Sequence, residues 1–174
     1  MKNIFLVFVI MAFVACNNAS QQNATRLPGE FIYTVYQWND SGDSLGISLQ
    51  HYLQIAEDGN YRLIQRDGNG NALYYFGFIG YDRVARLSAF MADSSFKDPY
   101  TDSLNAGPAY MFDYTGSAGP HKYRFAPAVA PDAVKNTQAM LDSVIAGPGK
   151  KQSSFFNIDE YLREIIREDS AARN

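Results

Sequence analysis

Two histidines are the side chains in this sequence best suited to acid–base or metal chemistry, because the imidazole titrates near neutral pH. His51 and His121 lie in segments that alternate apolar and polar residues, and the alternation places His51 on an apolar face. A metal site would need both rings to meet with a carboxylate such as Asp113, and ligand spacings such as H-x-x-x-H are absent. The pattern favours two structural histidines, with a general base at either position as the alternative.

A calcium site is the second candidate, at the segment DGNGN. Asp67, Asn69 and Asn71 match the first, third and fifth ligands of an EF-hand loop. The sixth position holds Ala72 where that loop needs glycine, and the twelfth holds Phe78 where it needs glutamate. The segment therefore predicts a hairpin turn, and the three side chains remain weak metal candidates.

Motifs for covalent catalysis or phosphate binding are missing from the sequence. No serine lies in a G-x-S-x-G segment, and the glycines near residues 77–80 are followed by no P-loop lysine. Most aspartates fall where turns and helix caps use them structurally. We therefore predict no catalytic residue and no cofactor, and leave open whether the protein is an enzyme.

The composition is that of a folded globular chain with many aromatic residues. Of 174 residues, 47% are hydrophobic and 19% are charged, and the 14% aromatic share includes 12 Tyr and 12 Phe. Tyrosine has an apolar ring and a polar tip, so it suits sheet faces as well as binding surfaces. The formal charge is −3 and no basic patch is visible, which argues against a nucleic-acid partner.

The first fifteen residues have the pattern of a signal peptide. Lys2 gives a short positive start, and residues 4–15 are an unbroken run of twelve apolar residues. As a helix this run would span about 18 Å, too short for the ~30 Å hydrocarbon core of a bilayer. Removing residues 1–15 leaves 159 residues with 14 basic and 18 acidic side chains.

The segment Phe13-Val14-Ala15-Cys16 resembles the lipobox of bacterial lipoproteins, although Leu is usual where Phe13 stands. The resemblance implies that Cys16 receives a diacylglycerol and a further acyl chain such as palmitate, which together make a stable membrane anchor. Asn17 stands where the inner-membrane retention signal of enteric lipoproteins has Asp. The expected location is therefore the cell envelope, at the outer membrane facing the periplasm. Cys16 is also the only cysteine, which excludes an internal disulfide and thiol catalysis.

Residues 16–29 are expected to be the lipidated cysteine and a flexible tether, because the stretch after Cys16 is polar and uncharged up to Arg26. Residues 30–147 are expected to form one α+β domain. Alternating patterns and Asp-Gly turns predict six strands, and apolar residues at three- and four-residue steps predict helices. The strands are at 30–38, 47–56, 61–66, 72–79, 109–115 and 121–126, and the helices begin near Asp82 and Asp132.

Residues 148–174 are predicted to be a linker followed by an amphipathic helix over 157–172. Asn157 caps this helix, and its apolar stripe runs from Ile158 to Ile166. The stripe docks either on the chain's own sheet or on a partner protein. The element order is β-β-β-β-α-β-β-α-α, which predicts an α+β fold: an antiparallel sheet of about six strands with two to three helices on one face.

This layout is similar to small envelope lipoprotein domains in which a hairpin with an Asp-Gly turn precedes a helix and a second hairpin precedes another. The likeness covers most of the chain from Phe31 to Ile145 and implies no assigned chemistry. We expect a non-catalytic binding or interaction module for a protein or a saccharide, since the aromatic residues are plentiful and the catalytic sets are missing. The alternatives are a periplasmic hydrolase with His51 or His121 as base, and a structural accessory subunit that docks through the C-terminal helix.

Overall fold

A computed structural model describes residues 26–38, 46–93, 107–116 and 119–173, with side chains as far as residue 168. These residues form seven strands and three helices. In chain order they are β1 (Phe31–Trp38), β2 (Ile47–Ile55), β3 (Asn60–Arg66), β4 (Ala72–Phe78), α1 (Tyr81–Ala92), β5 (Ala109–Gly116), β6 (Gly119–Phe125), α2 (Asp132–Ala146), β7 (Lys151–Gln152) and α3 (Asp159–Arg173).

The strands make one antiparallel sheet in the order β6-β5-β1-β2-β3-β4-β7. Four antiparallel pairs build most of it, since β1–β2, β2–β3, β3–β4 and β5–β6 are neighbours both in the chain and in the sheet. The α+β class, the antiparallel sheet and the order of elements are as the sequence predicts. The two-residue strand β7 is an addition, and it lies in the segment expected to be a linker.

Helices α1 and α2 pack on one face of the sheet, which we call the two-helix face. Apolar side chains at helical spacing meet alternate residues of the central strands in one continuous core. Burying each such side chain stabilises the fold by roughly 1.5–3 kcal/mol. The largest fully buried side chains of this core include Phe31, Tyr33, Leu53, Leu63, Leu87, Phe112 and Leu141.

Helix α3 packs on the opposite face, which we call the α3 face. Leu162 and Ile165 are buried against Ile32, Ile64 and Met111 in a second core. Two helices therefore share one face, as predicted, and the third lies across the sheet from them. The C-terminal stripe docks on the chain's own sheet, which confirms the first of its two interpretations.

A bulge in β2 divides the alternation that the sequence suggests. Val35 is opposite His51 but Tyr36 is opposite Leu49, so Gln50 is the extra residue. The sequence pattern places Ile47 and Leu49 on the same face as His51, and this is wrong. Because the extra residue inverts the alternation, Ile47 and Leu49 pack on the α3 face, whereas His51 lies on the two-helix face.

The described chain begins at one end of the sheet, which we call the tether end. There the Leu27 amide donates to the Glu57 carbonyl at 2.9 Å, next to the turn that joins β2 and β3. At this same end, β1 starts at Phe31 and β4 finishes at Phe78. The structure therefore places the junction with the predicted tether beside the β2–β3 turn.

Candidate functional site

A shallow groove lies on the α3 face, where the N-terminal turn of α3 leaves the sheet uncovered. It has a volume of about 620 Å³ and is lined by residues of β2, β3 and α3, including Tyr52, Gln54, Arg62, Phe156 and Tyr161. A second hollow of about 320 Å³ continues it along the sheet and shares Gln54 and Arg62. The two hollows together form one open depression, which we call the groove.

A chain of polar contacts crosses the floor of the groove. The Gln54 side-chain amide donates to Glu30, and its oxygen accepts from the Arg62 guanidinium at 2.8 Å. The guanidinium carbon also lies 5.2 Å from the centre of the Phe156 ring, in a cation–π arrangement. These contacts hold Arg62 in place while it remains exposed. A ligand would thus meet an ordered guanidinium, an amide and a carboxylate side by side.

Aromatic side chains border the groove on its outer side, along β4 and the segment before α3. Tyr74 stands edge-on to both Phe155 and Phe156, with ring centres 5.3 and 5.4 Å apart. Phe76 is opposite Arg62 in the β3–β4 register and is 46% exposed, while Phe155 is 69% exposed. We call Tyr74, Phe76, Phe155 and Phe156 the aromatic strip. Apolar rings left in water at this density are typical of binding surfaces.

The strip is held by the short strand β7, and the Tyr61 ring crosses β4 on the opposite face. Lys151 and Gln152 pair with Phe76 and Tyr75, so the chain leading into α3 is fixed along β4. A Cβ atom at Gly77 would lie 2.6 Å from the Tyr61 ring, which crosses β4 there. A side chain at position 77 would therefore displace the Tyr61 ring.

Buried polar contacts fasten α3 beside the groove. The Tyr161 hydroxyl lies 3.5 Å from the Thr34 hydroxyl under the helix. Burial raises the pKa of Tyr161 well above its usual value, and the neighbouring Asp113 carboxyl raises it further. Burial likewise raises the pKa of Asp113, although the Lys122 ammonium acts in the opposite direction. Tyr161 is therefore a neutral phenol that positions the helix.

Ion pairs complete the docking of α3 on the edge of the sheet. The Lys122 ammonium contacts Glu164 at 2.6 Å and Glu168 at 2.7 Å, and Arg124 contacts Glu168 at 3.2 Å. Partial burial lowers the pKa of Lys122, but the hydrogen bonds to both glutamates outweigh it, so the pKa lies above its usual value. The same ammonium lowers the pKa of Glu164. These pairs set the position of α3 along β6.

His51 lies on the other face of the sheet from the groove. Its ring stands edge-on to Tyr33 at 5.0 Å, and the Tyr33 hydroxyl donates to Asp142 of α2 at 3.0 Å. Burial lowers the pKa of His51 to about 4, against a smaller opposing effect of Asp142. Its Nε2 atom is buried and has no hydrogen-bond partner among the described residues. A catalytic base is hydrogen-bonded to its nucleophile, and His51 Nε2 has no such bond. The geometry therefore fits the interpretation of His51 as a structural residue.

His121 and His51 do not meet. His121 stacks on Tyr114 of β5 with ring centres 5.2 Å apart. Strands β5 and β1 separate β6 from β2, which amounts to about 14 Å across the sheet. The registers add four residues along β1, because His51 is opposite Val35 while Tyr114 is opposite Phe31. The two imidazoles therefore cannot share one metal ion.

Asp113 lies on the α3 face, between Ile32 and Lys122 in the sheet register, whereas both histidines lie on the two-helix face. The three-residue metal site considered from the sequence is thus divided by the sheet. Throughout the residues that the structure describes, no cluster of three or more His, Cys, Asp or Glu side chains could hold a metal ion.

Asp67 closes the β3–β4 turn. Its Oδ1 atom accepts the Asn69 and Asn71 amides, each at 2.8 Å, and its Oδ2 atom accepts the Asn71 side-chain amide at 3.0 Å. These hydrogen bonds lower the pKa of Asp67. The carboxylate oxygens are thus used by amide donors of the turn, and Gly70 provides the positive φ of 83° that the turn needs. This geometry is the hairpin turn predicted for the segment.

The groove residues were missed by the sequence analysis. Arg62 and Gln54 are polar positions in alternating strands, and such positions usually face solvent without a further role. Phe155 and Phe156 are adjacent rings between a polar linker and a helix cap, which is the one signal that could have indicated an exposed aromatic site. Their meeting with Arg62 depends on how α3 docks.

Comparison with known proteins gives no family for the chain, since no family model, curated protein or solved structure matches it. The signal peptide, Cys16 and the tether as far as residue 25 lie outside the described residues, so their interpretation stays a prediction. No helix within the described ranges is long and apolar enough to cross a membrane.

Proposed function

We propose that this chain is a lipid-anchored envelope protein whose folded domain is a non-catalytic binding module, and that the groove with its aromatic strip is the binding surface. The observation that carries the proposal is the exposed strip beside an ordered Arg62. Arginine and aromatic side chains dominate the energetic centres of protein interfaces. Rings of this kind also stack on the apolar faces of sugars, so the surface suits a protein or a saccharide.

The anchor in this proposal is Cys16, and it rests on the lipobox resemblance. Lipid on Cys16 would hold the domain at the membrane, which we propose to be the outer membrane facing the periplasm. The net charge of about −4 for residues 16–174, from 14 basic and 18 acidic side chains, supports a partner other than nucleic acid.

The two alternative functions gain no observation of their own from the described residues. A hydrolase needs a base hydrogen-bonded to its nucleophile, but His51 has no such bond and His121 stacks on Tyr114. An accessory subunit docking through α3 needs a free apolar stripe, but Leu162 and Ile165 are buried on the chain's own sheet.

The test is cross-linked capture of the partner from membranes that carry the acylated protein. Replacing both Arg62 and Phe76 by alanine removes the centre of the surface without touching a core side chain, so we expect capture to fall by about tenfold or more, as hot-spot truncation predicts. The matched control replaces Arg167 and Val129, an exposed arginine and an exposed apolar residue outside the groove. Equal capture by the wild type and the groove variant, with both proteins folded, would reject this surface.

A further inference from the structure

The tether end of the sheet carries a second exposed aromatic pair, separate from the strip. Phe78 is the last residue of β4 and is 43% exposed, and Tyr81 opens α1 and is 66% exposed. Their rings stand edge-on with centres 5.0 Å apart. We call Phe78 and Tyr81 the aromatic corner. The corner takes no part in the groove, so it needs its own explanation.

The corner lies beside the point where the chain enters the domain. The Leu27 amide donates to Glu57, and Glu57 belongs to the turn whose Gly59 carbonyl accepts the Ile79 amide at 3.0 Å. Gly59 also lies against the Phe78 ring, since a Cβ atom there would be 2.9 Å from it. A continuous set of contacts therefore joins Leu27 to the corner.

The length of chain before Arg26 limits how far this end can lie from an anchor on Cys16. Ten residue steps separate Cys16 from Arg26, and a fully extended chain of that length spans at most about 36 Å. A flexible polar chain of ten residues has a typical span of only about 18 Å. An eight-residue strand such as β1 is about 27 Å long, so a lipid on Cys16 would hold the end that carries Leu27 closer to the bilayer than the opposite end.

We propose that the aromatic corner rests in the headgroup region of the same bilayer that carries the Cys16 lipid. The Tyr81 ring can contact the upper acyl chains while its hydroxyl stays among the headgroups, and the Phe78 ring can enter the same boundary. Two rings alone would bind a vesicle weakly. With the anchor in place the contact is intramolecular, and the raised effective concentration makes a weak contact sufficient.

The contact depends on the rings and does not depend on lipid charge. Three arginines of this end, Arg26, Arg83 and Arg86, are offset by the four acidic residues Glu30, Glu57, Asp58 and Asp82, so the end has no excess of positive charge. A surface without excess positive charge is not attracted to anionic headgroups. The corner is therefore expected to bind zwitterionic phosphatidylcholine as well as anionic lipid, and added salt should leave the contact unchanged. The consequence for the proposed function is orientation, because a fixed corner would hold the groove at a constant angle to the membrane.

The inference rests on the proposed lipid anchor, and the test separates the two. Trp38 is the only tryptophan, so Trp38→Phe gives a protein without indole emission. In this background, Tyr81→Trp reports on the corner. Val129→Trp is the matched control, because Val129 is 78% exposed and follows the end of β6 that lies away from the tether end. The acylated proteins are reconstituted into phosphatidylcholine vesicles with and without bromine on the acyl chains.

We expect both acylated proteins to float with the vesicles, and only the Tyr81→Trp protein to lose emission in the brominated ones. If both proteins float and the brominated vesicles reduce their emission equally or not at all, the corner contact is overturned and the anchor stands. Failure of the wild-type protein to float would overturn the anchor and the inference together. Emission that changes with protein concentration in the absence of vesicles would instead assign the corner to a contact between two copies of the chain.

A measurement without substitutions in the folded domain keeps the inference testable if the tryptophan variants fail to fold. Hydrogen exchange is measured for the acylated wild-type protein on vesicles and for the Cys16→Ser protein in solution, and the two samples are compared. The inference predicts slower exchange on vesicles for residues 78–86 and no change for residues 126–131. Equal exchange of both segments in the two samples would contradict it.

Discussion

His51 shows what a buried ionisable side chain does in this fold. The ring is held between Tyr33 and its neighbours in β2, with an Nε2 atom that has no described hydrogen-bond partner. Desolvation disfavours the charged imidazolium, which lowers the pKa of His51 to about 4. The side chain is therefore neutral at pH 7, and it adds an apolar ring to the two-helix face.

A folded-state pKa of about 4 makes the stability of the protein depend on pH in a defined window. The unfolded chain, with a histidine pKa of 6.5, binds the proton more readily than the folded chain does. The contribution of His51 to stability is therefore largest above pH 6.5 and falls as the pH drops from 6.5 to 4. We expect the free energy of unfolding to fall by about 2–3 kcal/mol across this window on account of His51.

Denaturant unfolding of the wild type and of His51→Gln at several pH values measures this effect. Asp113 has a raised pKa and therefore the opposite pH dependence, but it is present in both proteins and cancels in the difference. The plots of unfolding free energy against pH should differ in slope between pH 6.5 and 4, and they should be parallel above pH 7. Parallel curves over the whole range would contradict the burial of a neutral imidazole.

At the scale of elements, two hairpin glycines allow a matched comparison. Gly59 and Gly70 both have φ of 83°, where an alanine is strained. A Cβ atom at Gly59 would lie 2.5 Å from Val84 of α1, whereas nothing lies within 4 Å at Gly70. We therefore expect Gly70→Ala to destabilise by about 1 kcal/mol and Gly59→Ala by about 2–4 kcal/mol. Thermal unfolding checks the order, and equal losses would show that the β2–β3 turn does not pack on α1 as described.

Helix α3 is part of the core of the domain. Ile165 is fully buried on the α3 face, and deleting its side chain leaves a cavity among Ile64, Met111 and their neighbours. We expect Ile165→Ala to cost about 2–5 kcal/mol of unfolding free energy. Arg167→Ala, an exposed change two residues further along the helix, should stay within about 0.5 kcal/mol.

Truncation after Gly149 is the stronger form of the same experiment. Removing α3 and β7 exposes the second core, so the shortened chain should lose its cooperative unfolding transition. A shortened chain that unfolds cooperatively at the wild-type temperature would mean that α3 is dispensable for the fold. In that case the apolar stripe would be free to serve as a ligand for a partner.

Element type was predictable from the sequence because each signal for it is local. The turn Asp58-Gly59, the helical spacing of Val84 and Leu87, and the cap at Asn157 each act within a few residues. The weak polar contrast of β1 also has a clear reason, since residues 31–36 are buried on both faces of a central strand. The bulge at Gln50 was not predictable, because it becomes visible only when β2 is paired with β1.

The candidate site was much less predictable than the fold. An apolar stripe shows that α3 must dock, but it does not indicate on which face of the sheet. The groove forms only because α3 takes the face opposite α1 and α2 and brings Phe156 over Arg62. Phe156 and Arg62 are more than ninety residues apart, so their contact cannot be predicted without knowing on which face α3 docks.

At the scale of the whole molecule, the sheet is covered by helices on both faces, and the groove is the place where α3 leaves it open. The groove lies on the α3 face, and the proposed membrane contact lies at the tether end. The proposed ligand surface and the proposed bilayer surface are thus separate on one small domain. The proposed envelope location and the proposed membrane contact both depend on the lipid on Cys16, which makes the anchor the central claim.

Labelling of cells with radioactive palmitate, followed by separation of membranes, tests that claim most directly. We predict that the wild-type protein carries the label and sediments with the membranes, and that Cys16→Ser carries none and leaves the membrane fraction. The chain has no other cysteine that could accept the lipid. Wild-type protein without label, or Cys16→Ser that is still labelled and still bound to membranes, would contradict the account.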